Sequence, residues 1–256
     1  MTKAKRPTLG AFHQGAVPAI ACFNKAATPL GVDLDALIRA LQRFVDQHVA
    51  PVWGTRAKLF KSTGFVKGAW ALVFLDDADH PGSLGYHDLT PDGLPQSKVF
   101  VRTTLANGEL VSVAASHELV EMLVDPAGNM MTTGPDRAAT YCYESADPVE
   151  ETHFDVDGIP MSNFVHPAYF HTFHRPGATS FDHLGKVTKP FQPHSGGYQI
   201  VFKNGKWRHV FGSASKAKRF SREDRRGHRS EQRHRSRTNR LKRSHTRASS
   251  RRKGSA

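Results

Sequence analysis

Only two cysteines, Cys22 and Cys142, occur in the 256 residues. They could make one bridge but not the disulfide framework of a small secreted domain, so a reducing compartment is the default expectation. No hydrophobic run approaches the roughly 18 to 20 residues of a membrane span. The start, MTKAKRPTLGAFHQGAVPAIACF, is basic and then mildly apolar, and Gly, His, Gln and Pro interrupt it before a signal-peptide core could form. Neither export nor membrane anchoring is expected. Apolar side chains are nearly missing from residues 213–256, which hold one Phe and one Leu. Such a segment has too little apolar surface to offset the entropy of ordering and reads as a disordered tail.

What the chain does have is positive charge concentrated in that tail. Of the formal net charge of +13, residues 213–256 contribute 17 Lys and Arg against 3 Asp and Glu, while residues 1–212 carry 19 against 20. The body is close to neutral. A flexible cationic segment binds polyanions by counterion release, without sequence preference and with steep salt dependence. Nucleic acid is the expected partner, through Arg225, Arg226, Arg229, Arg233, Arg235, Arg237, Arg240, Lys242 and Arg243. With Phe220 the one aromatic available for stacking, base reading is not expected. The plain alternative is a solubilising tail.

The body, residues 1–212 and 38% hydrophobic over the whole chain, is large enough for one good core. DLDALIRALQRFVDQHV (33–49) spaces its apolar residues as an amphipathic helix, with Thr28 or Asp33 as cap. GAWALVFLDD (68–77) reads as a buried strand, and a second strand begins at Lys98. After Asn107-Gly108, ELVSVAASHELVEMLVDP (109–126) is helical until Pro126 stops it. Short strands follow at TYCYE (140–144) and around HFDVDGIPM, where Asp157-Gly158 signals a hairpin. A second hairpin turns at Asn204-Gly205. The order implies an α+β fold with a single core.

The residues most suited to chemistry are His117-Glu118-Leu119-Val120-Glu121. On a helix, positions i and i+4 share a face, so His117 and Glu121 could hold one metal ion, with Glu118 alongside as a general base for water. The rest of the helix is apolar, leaving a narrow polar stripe of His117, Glu118 and Glu121. A helix of that kind is buried, and its polar groups need partners. The plain alternative is a helix whose His and Glu face water. A third ligand must come from elsewhere. Glu144 and Asp147, in the acidic run YESADPVE, are the candidates; His153, His166, His171 and His174 compete. A further acid and histidine concentration at 76–88 reads as a turn-rich loop rather than a second metal site or substrate rim.

SHELVEMLVDP, YESADPVE and GIPMSNFVHPAYF, together with GYHDLTPDGLPQSKVFV (85–101) and DRRGHRSEQR (224–233), resemble a family of phage and prophage proteins with a zincin-like metallopeptidase signature. More distantly, the HExxE helix with a later acidic pair is similar to the Exordium-like group. The resemblance covers most of residues 65–235. It implies a zincin-like fold, with a buried metal-binding helix on a small mixed sheet. It implies Zn²⁺ on His117, Glu121 and Glu144 or Asp147, and Glu118 as base. It also implies a setting in the virion or host cytoplasm, with other virion proteins as partners and a peptide as substrate.

The second helical His of the familiar HExxH signature is replaced here by Glu121. Two carboxylates and one His formally cancel the charge of Zn²⁺, so a bound water would be acidified less than in a His₂Glu site, and Ca²⁺ or Mn²⁺ would suit the ligands too. The expected function is a phage-associated metallopeptidase. The alternatives are a non-enzymatic virion or assembly protein stapled by a structural metal, and a cell-wall amidase-like hydrolase.

Overall fold

A computed structural model describes residues 17–79, 83–175, 177 and 179–222. The architecture is mixed α+β. Strands β1 (Ala19–Asn24), β2 (Lys58–Lys61), β3 (Trp70–Leu75), β4 (Gly85–Leu89) and β5 (Pro95–Phe100) form one sheet in the order β2-β1-β3-β5-β4. Four of the strands are mutually parallel, and β4 runs antiparallel along the β5 edge. Helix α1 (Leu34–Arg43) makes the crossover from β1 to β2, continuing through a π-helical segment at Phe44–Val49 into α2 (Ala50–Trp53). Asp33 caps it, its carboxylate accepting from the Ala36 N–H at 2.8 Å. The apolar stripe buries Leu37, Leu41, Phe44 and Val45 against Ile20, Leu72 and Phe74 of the sheet. Each such side chain contributes about 1.5–3 kcal/mol on burial.

The strand expected from Lys98 instead spans Pro95–Phe100, and the chain turns at Val101 into helix α3 (Val101–Ala106). Asn107-Gly108 ends that helix: Gly108 has φ +73°, and the Asn107 N–H donates to the Thr103 and Thr104 carbonyls. The same dipeptide that turns hairpins also closes helices, because both need a left-handed residue. Helix α4 (Val111–Val124) follows. Asp125, preceding Pro126, leaves the helical region at φ −128°, ψ 75°. All fourteen α4 residues are buried, because the helix lies between β4 and β5 of the main sheet on one side and β9 on the other.

Strand β9 (Ile159–Ser162) pairs with β8 (His153–Val156) through the expected hairpin, with Asp157 at φ +55° and Gly158 at +75°. A four-stranded antiparallel sheet, order β11-β10-β7-β6, joins β6 (Met131–Thr133), β7 (Ala139–Cys142), β10 (Tyr198–Lys203) and β11 (Lys206–Phe211). Its β10–β11 turn is the expected Asn204-Gly205 pair, both at positive φ. Both cysteines are free thiols. No helix among the described residues is long and apolar enough to cross a membrane.

The expected body ended at residue 212, but helix α5 (Ala214–Arg222) follows it directly. The Lys216 ammonium is buried and paired with Glu150 at 2.6 Å and Glu151 at 3.2 Å, so the first residues read as tail are folded onto the body. The nine tail residues expected to contact nucleic acid lie outside the described residues.

Beneath the β8–β9 hairpin, His48 Nδ1 and His183 Nε2 are 2.9 Å apart, and the His183 ring stacks on Phe164. Burial, then the neighbouring His48 and His166, bring the His183 pKa down to about 4, and burial lowers that of His48. The folded state thus binds these protons less readily than the unfolded chain. Stability from this pair is fully present above the ordinary imidazole value of about 6.5 and is lost as pH falls from there toward 4. In His183→Phe, denaturant midpoints should fall less between pH 7 and 4 than in the wild type. An unchanged pH dependence would refute this.

Candidate metal centre

Helix α4 carries His117 and Glu121 on one face, and the segment after β7 brings Glu144 and Asp147 against them. That segment is fixed by the helix itself. The backbone N–H groups of Ala146 and Asp147 donate to Glu121 Oε1 at 3.2 and 3.3 Å, and Pro148 sets the 3₁₀ turn Asp147–Val149 that aims the Asp147 carboxylate. His117 Nε2 lies 3.4 Å from Glu121 Oε1 and 3.2 Å from Asp147 Oδ1. Two ligand atoms held about 2.0–2.1 Å from one tetrahedral ion stand about 3.3–3.4 Å apart. The trio therefore fits a divalent cation in spacing and in donor type, and all three residues are buried.

Burial alone would lower the pKa of His117. The Glu121 charge and the hydrogen bonds that the ring donates to Asp147 and Glu121 more than reverse that, with Glu118 adding to it, and hold the imidazole well above its ordinary value. A divalent ion bound there would have to displace that proton.

Glu118 projects beside the trio into a cleft lined by Leu84, Gly85, Leu110, Val113 and His117. Its backbone carbonyl accepts from the Ser97 hydroxyl at 3.0 Å, tying α4 to β5. The side chain packs so closely on β4 that a Cβ at Gly85 would stand 2.7 Å from Glu118 Cγ and 2.8 Å from the Lys98 carbonyl oxygen. Gly85→Ala is expected to destabilise the fold by about 1–3 kcal/mol, as overpacking does. Urea denaturation measures this, and unchanged stability would contradict the close approach.

Of the expected ligands, His117, Glu121 and Asp147 converge as one group, while Glu144 falls on the other side of Glu121 in a second group with His87. His153, His171 and His174 are exposed, and none of them nor His166 joins a candidate metal group among the described residues. His87 is the residue that sequence reasoning passed over, as part of the turn-rich 76–88 segment. It lies in β4, and the signal for that strand is five residues, Gly85–Leu89, set between His80-Pro81-Gly82 and Pro91-Asp92-Gly93. The described acids of that loop do structural work. Asp76 accepts from the Ala27 and Thr28 N–H groups at 2.8 and 2.9 Å, Asp77 pairs with Arg102, and Asp79 pairs with Lys98. Hydrogen bonds from the Thr28 side chain and then from those two backbone groups bring the Asp76 pKa down to about 2.

Comparison with protein-family models finds no match, and comparisons with curated proteins and with solved structures find none either.

Proposed function

We propose that this chain is a zincin-like, metal-dependent hydrolase that attacks a peptide or related amide carbonyl. In this reading His117, Glu121 and Asp147 hold Zn²⁺, with Ca²⁺ or Mn²⁺ also suited to so carboxylate-rich a set. The observation that carries the reading is the convergence of those three buried ligand atoms directly beside Glu118 in a cleft. The sheet supports it as well: an antiparallel edge strand, β4, flanks the ligand-bearing helix and borders that cleft at Gly85.

A bound divalent cation would polarise a carbonyl and lower the pKa of water. Glu118 takes a proton from the attacking water and returns it to the departing amine. Gly85 and Ser97 hold Glu118 in place for this. The apolar wall of Leu84, Leu110 and Val113 receives substrate side chains and limits access of bulk water. Glu121 and Asp147 together offset the charge of a divalent ion, so turnover should be slow relative to sites with a neutral second helical ligand.

Glu118→Gln preserves shape while removing the base. It is expected to keep the bound ion and to lower hydrolysis of an unfolded protein substrate by about 10²–10⁴-fold. Chelation should abolish the same activity. Cleavage indifferent to both would refute the enzymatic reading.

The complete burial of α4 and the latch from Glu121 to the 146–147 backbone favour one alternative, in which the ion staples helix to loop in a virion or assembly protein. The basic segment beyond α5 would then dock on packaged nucleic acid. In that case chelation unfolds the protein, whereas Glu118→Gln alters nothing.

A further inference from the structure

We infer that the centre takes two divalent cations rather than one, with Glu121 as the bridging carboxylate and His87 and Glu144 completing the second position. The inference rests on the metal-binding reading above and extends it to a site that His117 and Asp147 do not reach.

The geometry divides the two oxygens of one carboxylate between two imidazoles. Glu121 Oε1 faces His117 Nε2 at 3.4 Å, and Glu121 Oε2 faces His87 Nδ1 at 3.7 Å. Both separations lie under the roughly 4.2 Å that two atoms, each about 2.1 Å from a common ion, can span. Glu144 offers the third oxygen on the His87 side, all three donor atoms lying within 4.8 Å of one another, and all three residues are buried. A carboxylate that bridges through its two oxygens sets the paired ions of hydrolytic centres about 3.5–4 Å apart.

His87 is held as a ligand histidine is held. Its Nε2 stands 3.1 Å from the Asp125 carbonyl oxygen, which can only accept, so Nε2 donates there and Nδ1 is the ring atom that faces the Glu121 and Glu118 carboxylates. That carbonyl is itself fixed. The Asp125 side chain accepts from the Asn129 and Met130 N–H groups at 2.9 and 2.8 Å, turning the chain back at the end of α4.

Six buried side chains meet here: four carboxylates, Glu118, Glu121, Glu144 and Asp147, and two imidazoles, His87 and His117. The N,O,O donor sets suit Zn²⁺ or Mn²⁺.

The test loads the full-length protein with Mn²⁺ after chelator treatment and reads stoichiometry together with the electron paramagnetic resonance spectrum. Two equivalents with an exchange-coupled spectrum are expected in the wild type. His87→Ala and Glu144→Gln should each bind one equivalent and give an uncoupled six-line signal. One uncoupled equivalent in the wild type overturns the second site and leaves the first intact; none overturns both. Two equivalents that persist in folded His87→Ala and Glu144→Gln place the second ion elsewhere and overturn the inference. Should either variant fail to fold, the coupling in the wild-type spectrum decides alone.

Discussion

Adding Zn²⁺ to chelator-treated protein is expected to raise its thermal unfolding midpoint by roughly 8–16 °C when the ion is supplied at about a thousand times its dissociation constant. Binding to the folded state alone is then worth about 4 kcal/mol, and each kcal/mol moves the midpoint of a body of this size by about 2–4 °C. The structure gives the effect a local cause. Without an ion, four buried carboxylates face two imidazoles between α4, β4 and the segment after β7, and His117 is driven to hold a proton that the ion would displace. The rise should be confined to divalent ions and lost in His117→Ala. A midpoint unmoved by any divalent cation would mean that these side chains form a self-sufficient polar network.

Glu121→Gln is expected to weaken metal binding by at least about 100-fold, beyond the 10–100-fold typical of groups that merely support a ligand. The amide oxygen can still accept from the Ala146 and Asp147 N–H groups, so the latch to the loop survives while the ligand charge is lost. Metal-free stability should therefore change far less than affinity. Glu121→Ala, by contrast, leaves two buried backbone donors without an acceptor, at about 1–3 kcal/mol each, and should be destabilised with or without metal. Competition titration against a chromophoric chelator, paired with denaturation of the metal-free forms, separates the two effects. Equal losses of affinity and of metal-free stability in Glu121→Gln would assign Glu121 a purely structural role.

The parts of this molecule legible in the sequence are those set by local chemistry. Asn204-Gly205 and Asp157-Gly158 fixed two hairpins, because few other residues accept left-handed geometry in succession. The apolar spacing of Leu37, Leu41 and Val45 gave α1, and the apolar surround of His117 and Glu121 gave a buried α4. The carboxylates at 144 and 147 were found from composition near a strand, but their division between two sides of Glu121 depends on the turn of the chain at Asp147-Pro148, which no periodicity reports. Strands β1 and β2 escaped because parallel strands lack the turn signals of hairpins. Strand β4, although followed by the Pro91-Asp92-Gly93 turn, is so short that it reads with the turn-rich 76–88 segment, where His87 is weighed as part of a second metal site and set below a plain loop. Helix α5 was hidden by its charge: Lys216 is buried against Glu150 and Glu151, a pairing that composition counts as solvated.

The most direct test is a crystal grown from protein purified without chelators, with anomalous difference maps collected on either side of the zinc absorption edge. The account predicts a peak about 2.0–2.2 Å from His117 Nε2 and from carboxylate oxygens of Glu121 and Asp147. A folded protein with no peak there, or with its ion on other side chains such as His171 and His174, would contradict it.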